Sequence, residues 1–131
     1  MKHRKPTWNQ IWMLLAESIA DKSSDTHRKN GSVIVTGDNT NVLAIGYNRT
    51  KKDNISKSRD TADGHSIAMA LLNFNFGDFR EKKMYVTDAP CEQCAKIIVD
   101  TDIKTVIYRN DYGDNTGLNI LKSSGINLVR A

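Results

Sequence analysis

The chain predicts a three-layer α/β/α fold built on a mixed five-stranded sheet, and three observations carry that expectation. Segments with helical and strand periodicity alternate in the order helix, strand, strand, helix, strand, helix, strand, helix, strand. Strand–helix–strand units pair in parallel and place helices on the sheet faces. The first two strands are joined instead by a short turn cluster, Thr36-Gly37-Asp38-Asn39, which makes them an antiparallel hairpin. No linker, repeat or low-complexity segment interrupts residues 1–131, so one domain is expected.

The elements follow in order. Thr7 and Gln10 form a capping box, and Trp8, Ile11, Trp12, Leu15 and Ile19 recur at helical spacing behind it. That stripe is expected to pack on a core, although two tryptophans also suit a base-stacking platform. Asp21 to Asn30 is polar and reads as a loop. Gly31–Val35 and Val42–Asn48 are the hairpin strands, followed by a long polar stretch from Arg49 to Asp63 with five basic residues. Gly64–Asn73 reads as a second helix, Lys83–Thr87 as a third strand, and the segment from Cys91 onward as a third helix pointing Cys94 and Ile98 inward. Lys104–Tyr108 is a fourth strand. Leu118–Leu121 is a short helix closed by Gly125 in a left-handed cap, and Ile126–Val129 is the last strand.

Composition narrows the class. At 131 residues, 39% hydrophobic and 26% charged, the chain matches an ordinary soluble globular domain able to bury a core without staples. No apolar run is long enough to span a bilayer. The basic start Met1–Lys5 is followed by no long apolar core or small-residue cleavage site, so no secretion signal is expected. Two cysteines at C-x-x-C spacing suit metal or redox chemistry rather than a disulfide scaffold, which makes a reducing, cytoplasmic setting the default. Lys plus Arg is 19 against 15 for Asp plus Glu, a net charge of +4. This mild excess suits phosphorylated small molecules, permits weak nucleic-acid binding, and is equally that of a solvated basic surface.

The chemistry concentrates in Pro90-Cys91-Glu92-Gln93-Cys94 and in His65 upstream. Two cysteines three apart share a helix face, and a proline before the first suits a helix start. Alone, such a pair is also compatible with a redox dithiol or two inert core thiols. With His65 it makes a His-Cys-Cys set, which matches a catalytic zinc site that keeps its fourth position open. The order H-x-E then P-C-x-x-C is the signature of the zinc deaminases, and this chain carries all of it except the glutamate. Two residues after the histidine stands Ile67.

Over almost its whole length the chain resembles the cytidine and deoxycytidylate deaminase family, most closely its deoxycytidylate branch. Pro6-Thr7-Trp8, Gly31–Val35, Gly46-Tyr47-Asn48, Pro90–Lys96 and Ile103–Tyr108 fall in family order. The resemblance implies a cytidine-deaminase-like fold and hydrolytic removal of the C4 amino group of a cytosine deoxynucleotide. It implies zinc held by His65, Cys91 and Cys94, with a glutamate carrying protons from water to ring and leaving amine. It further implies that Asn48 holds the sugar hydroxyl, that Ser66 and Tyr112 contact substrate, and that Arg28 and the Arg49–Arg59 loop are phosphate candidates. Family members usually form homo-oligomers.

Two departures qualify the resemblance. Ile67 can neither give nor take a proton, and losing such a group typically costs ~10²–10⁴ in rate. Glu92, between the cysteines, is expected to point away from the site and Asp63 precedes the histidine, so neither plainly substitutes. Three accounts of Ile67 stand side by side: an engineered knockout, a zinc-bound pseudoenzyme that binds nucleotides, single-stranded nucleic acid or a protein, and altered chemistry. The second departure is the loop after Asn48, where Arg49 and Lys51 replace the family's Gly and Pro and weigh against triphosphate regulation.

Overall fold

The computed structural model describes residues 5–23, 25, 28–48, 67, 70, 80–111 and 113–131. The expected stretch Arg49–Asp63 lies outside these residues, and of the expected helix Gly64–Asn73 only Ile67 and Ala70 lie within them, both helical and buried.

α1 (Trp8–Ala20) begins where the capping box predicts: Thr7 Oγ1 accepts the Gln10 N–H at 3.1 Å, and Gln10 Oε1 accepts the Thr7 N–H at 2.8 Å. β1 (Gly31–Thr36) and β2 (Val42–Tyr47) form the antiparallel hairpin, with Asn39 turning the chain at φ 64°. Then come β3 (Lys82–Asp88), α2 (Glu92–Val99), β4 (Ile103–Asn110), α3 (Thr116–Ser123) and β5 (Asn127–Arg130). After α3, the Ile126 N–H bonds Leu121 O and the Gly125 N–H bonds Lys122 O, with Gly125 at φ 82°, which is the expected left-handed closure.

The sheet order is β2-β1-β3-β4-β5. β1 runs antiparallel to both β2 and β3, while β3, β4 and β5 are mutually parallel. β2 and β3 therefore run in the same direction with β1 between them, and the chain that carries Ile67 makes the crossover. Every residue of β1 is buried, in keeping with an interior strand rich in β-branched residues.

Strand periodicity divides the core between the two faces. Val33, Val35, Tyr85 and Ile107 meet Met13, Ala16 and Ile19 of α1. Ile34, Met84, Val86 and Val106 meet Ile67, Ala70, Cys94, Ala95, Ile98 and Leu121 on the opposite face. This is the predicted three-layer α/β/α arrangement with its mixed five-stranded sheet. Among the described residues, no helix is long and apolar enough to cross a membrane.

The first helix keeps much of the expected stripe, with Ile19 buried and Trp12 and Leu15 packed against the core, and departs from it at Trp8. Its buried face is Met13, Ala16, Ile19 and Ala20, while Trp8 is 51% exposed and stacks on Trp12 with ring centroids 5.5 Å apart. Close approach explains the departure: a Cβ on Gly31 would lie 2.0 Å from the Ala16 carbonyl oxygen, so small residues must face β1 and the tryptophans move to the flank. Trp12 is fixed there by its Nε1–H, which donates to Asn39 Oδ1 at 3.0 Å.

Candidate active site

The carboxyl ends of the parallel strands β3 and β4 carry the site, as open α/β sheets generally arrange. β3 ends at Asp88, and Ala89-Pro90 leads directly to Cys91. Cys91 is the N-cap of α2 rather than its first helical residue. Its backbone is extended (φ −73°, ψ 173°), and its Sγ accepts the Cys94 N–H at 3.4 Å. A sulfur thus takes the place that a Ser or Asp oxygen fills at most helix starts. Cys91 is half-buried, Cys94 is buried, and neither is in a disulfide.

Two thiol sulfurs in one helical turn, at the helix end that favours negative charge, suit a thiophilic metal. His65 lies outside the described residues, and among the described residues no group of three metal-ligating side chains comes together. The donor chemistry of Cys91 and Cys94 therefore fits zinc as two of its ligands. Glu92 points outward, as expected, and pairs with Lys96 at 3.9 Å on the exposed side of α2.

Ile67 is 4% exposed and packs in the same apolar cluster as Cys94, Ile34 and Val86. The sequence position that faces the cysteines in the signature is thus occupied by a buried hydrocarbon. Ser66 and Tyr112 lie outside the described residues.

Arg28 and Asn48 come together at the rim. The Asn48 Nδ2–H donates to Arg28 O at 2.8 Å and more weakly to Asp25 Oδ2 at 3.5 Å, while Asn48 Oδ1 accepts the Asn30 N–H at 2.7 Å. The buried Asn48 amide thus clamps Arg28 and Asn30 to the end of β2. Arg28 Nε donates to Asp88 Oδ2 at 2.6 Å, and Asn110 Nδ2 donates to Asp88 Oδ1 at 3.1 Å. A continuous polar path therefore runs from Asn48 through Arg28 to Asp88, three residues ahead of Cys91.

Asp88 and Gly117 are the two residues at this end that sequence reading does not single out. An acidic residue closing the strand before Ala-Pro-Cys was the available signal for the first. The second lies one residue ahead of the expected helix Leu118–Leu121, and only the observed start of α3 at Thr116 places that glycine inside a helix, where it is disfavoured. At the head of α3, Asp114 Oδ1 accepts both the Thr116 hydroxyl at 2.6 Å and the Thr116 N–H at 2.8 Å. Those bonds hold the Asp114 carboxyl below the usual carboxylate range.

The comparisons agree with this layout. A dCMP deaminase from the cyanophage S-TIM5 superposes with a TM-score of 0.76 at 24% identity, covering 98% of this chain and 100% of that one. Human deoxycytidylate deaminase is 32% identical over an alignment of 117 positions that covers 79% of this chain and 65% of the human protein. The mouse protein matches to the same extent. The chain thus spans just under two thirds of the length of these curated relatives. The MafB19-like deaminase family matches residues 7–129, from the cap of α1 into β5, and the chain belongs to that family.

Proposed function

We propose that the chain is a zinc-dependent deaminase domain of the dCMP type, formed by residues 1–131, whose proton carrier has been replaced by Ile67. The observation that carries this reading is the pair Cys91, the N-cap of α2, and Cys94, in its first turn, at the strand ends of a deaminase fold. His65, Cys91 and Cys94 would hold the metal. When bound, zinc supplies an acidified water for hydrolysis. Deamination of dCMP consumes that water and yields dUMP and ammonia, so protons must move from water to the ring nitrogen and to the leaving amine.

The chain's own residues bind and orient. Asn48 holds the sugar hydroxyl, and Arg28, directed by Asp88, stands toward the phosphate. Ser66 and Tyr112 complete the substrate contacts in this reading. Ile67, buried in the cluster that includes Cys94, moves no proton, so the site binds nucleotide and turns it over very slowly. The cyanophage dCMP deaminase structure in complex with dCMP and dUMP supports a nucleotide ligand.

The second reading, a zinc-bound pseudoenzyme that binds nucleotide, single-stranded nucleic acid or a protein, draws on the same burial of Ile67. We place the chain in the cytoplasm as a homo-oligomer. This reading of the assembly rests on the family resemblance, in which members usually form homo-oligomers. Sedimentation showing only monomer at micromolar concentration would remove the oligomer.

Ligand titration across salt tests the function. dCMP is expected to bind more tightly than deoxycytidine, because the phosphate adds charge-assisted hydrogen bonds. Tight oligonucleotide binding with a steep salt slope would defeat the nucleotide reading.

A further inference from the structure

Cys91 lies outside the helix it caps, so the regular ladder of α2 holds it only through its carbonyl, which accepts the Ala95 N–H at 2.9 Å. Another element supports it from the far side. A Cβ built on Gly117 would lie 2.1 Å from the Pro90 carbonyl oxygen and 2.9 Å from both the carbonyl carbon and oxygen of Cys91. All three are backbone atoms, which cannot swing aside as a flexible side chain would. Gly117 is buried in the first turn of α3 and is not among the positive-φ glycines, which among the described residues are Gly113 and Gly125. Closeness, rather than backbone conformation, is what calls for a glycine here.

We infer that Gly117 is a positioning residue for Cys91. The first turn of α3 seats backbone to backbone on the Pro90–Cys91 peptide and thereby sets the direction of the Cys91 sulfur. α3 can serve as a fixed seat because Leu121 anchors it in the core and the Gly125 turn returns the chain to β5. Any side chain at position 117 pushes on the carbonyl that opens α2, and so on the Cys94 amide bonded to Cys91 Sγ and the Ala95 amide bonded to Cys91 O.

Amide hydrogen exchange on metal-free protein tests the seat, with Val35→Ala as a cavity control in the α1 face of the core. Gly117→Ala is expected to speed exchange at Cys94 and Ala95 at least tenfold while β1 amides keep their rates. Val35→Ala is expected to speed exchange in β1 and α1 without singling out Cys94 and Ala95. Should Gly117→Ala fail to fold, Leu121→Val, which loosens the same seat mildly, is expected to show the same local acceleration. Unchanged exchange at Cys94 and Ala95 in the folded variant, or a uniform loss like that of Val35→Ala, overturns the inference. Cobalt(II) titration reads the consequence, which rests on the zinc reading: weaker uptake by tenfold or more, with shifted ligand-field bands, in Gly117→Ala. An unchanged cobalt spectrum and affinity in that variant also overturns it. A wild-type chain that takes up no cobalt removes the zinc reading alone, and the exchange rates still decide the seat.

Discussion

The guanidinium Nε of Arg28 lies 2.6 Å from the carboxylate Oδ2 of Asp88, tying Arg28 to the strand end that leads into Cys91. The Asp88 side chain is only 13% exposed and that of Arg28 is 43% exposed, so the pair stands at the boundary between core and solvent. Asp88→Asn keeps an acceptor and removes the charge. It is expected to cost under about 1 kcal/mol of stability, as half-exposed pairs do, yet to weaken dCMP binding several-fold by freeing Arg28 from its pose. Calorimetric titration checks this, and unchanged dCMP affinity would detach Arg28 from the ligand.

Cys91→Ser tests the metal. The purified chain is expected to carry about one zinc, and the serine variant to lose both zinc and thermal stability, because metal binding and folding are coupled. Elemental analysis beside a melting curve gives the result. A well-folded, metal-free wild-type protein with a reactive dithiol would make the pair a redox module.

Lys82 offers a test of the fold away from the site. Its side chain is fully buried at the start of β3, with Nζ donating to Asp102 Oδ2 at 2.8 Å and to Arg80 O at 2.6 Å. Asp102→Ala is expected to destabilise the protein by about 2 kcal/mol, the worth of a hydrogen bond to a charged group. Denaturant unfolding measures it, and a change within error would mean that Lys82 is held without Asp102.

Much of the fold was legible because its signals are local. The Thr7–Gln10 box, the Thr36–Asn39 turn and Gly125 are chemical markers of chain reversal or helix ends, and each falls where it was read. The orientation of α1 was not legible from periodicity alone. Which face of a helix is buried depends on how close the partner comes, and the Gly31–Ala16 approach sets small residues against β1 with Trp12 packed at the edge of that cluster. At the site, the cysteine pair was visible in the spacing, but the role of Cys91 as a cap outside α2 was not. Asn48 was marked by resemblance, while its clamp on Asn30 and Arg28 is a tertiary arrangement that no short pattern encodes.

Tyr85 predicts a pH dependence. Burial pushes its hydroxyl up to about 12, and the group hydrogen-bonds Asn9 Oδ1. The unfolded chain loses this proton near pH 10, before the folded protein does. The folded state then binds more protons than the unfolded one, so stability falls as pH rises from about 10 to about 12. Lys83, whose burial holds its ammonium below the usual value, works in the opposite direction, so the comparison is made against Tyr85→Phe. That variant is expected to flatten the alkaline loss in chemical unfolding curves, and a loss of equal slope would assign it to another group.

The central claim is that this deaminase site lacks only its proton carrier. Ile67 is buried in the apolar cluster that includes Cys94, and glutamate has broadly similar length, so the exchange is expected to be accepted at some cost in stability from burying a carboxyl. The deciding measurement is ammonia release from dCMP by zinc-loaded wild-type protein and by Ile67→Glu, side by side. The account predicts near-background turnover for the wild type and a gain of at least ~10²–10⁴ for the glutamate variant. Brisk turnover by the wild type would contradict it, as would an Ile67→Glu variant that is folded, zinc-loaded and still inactive.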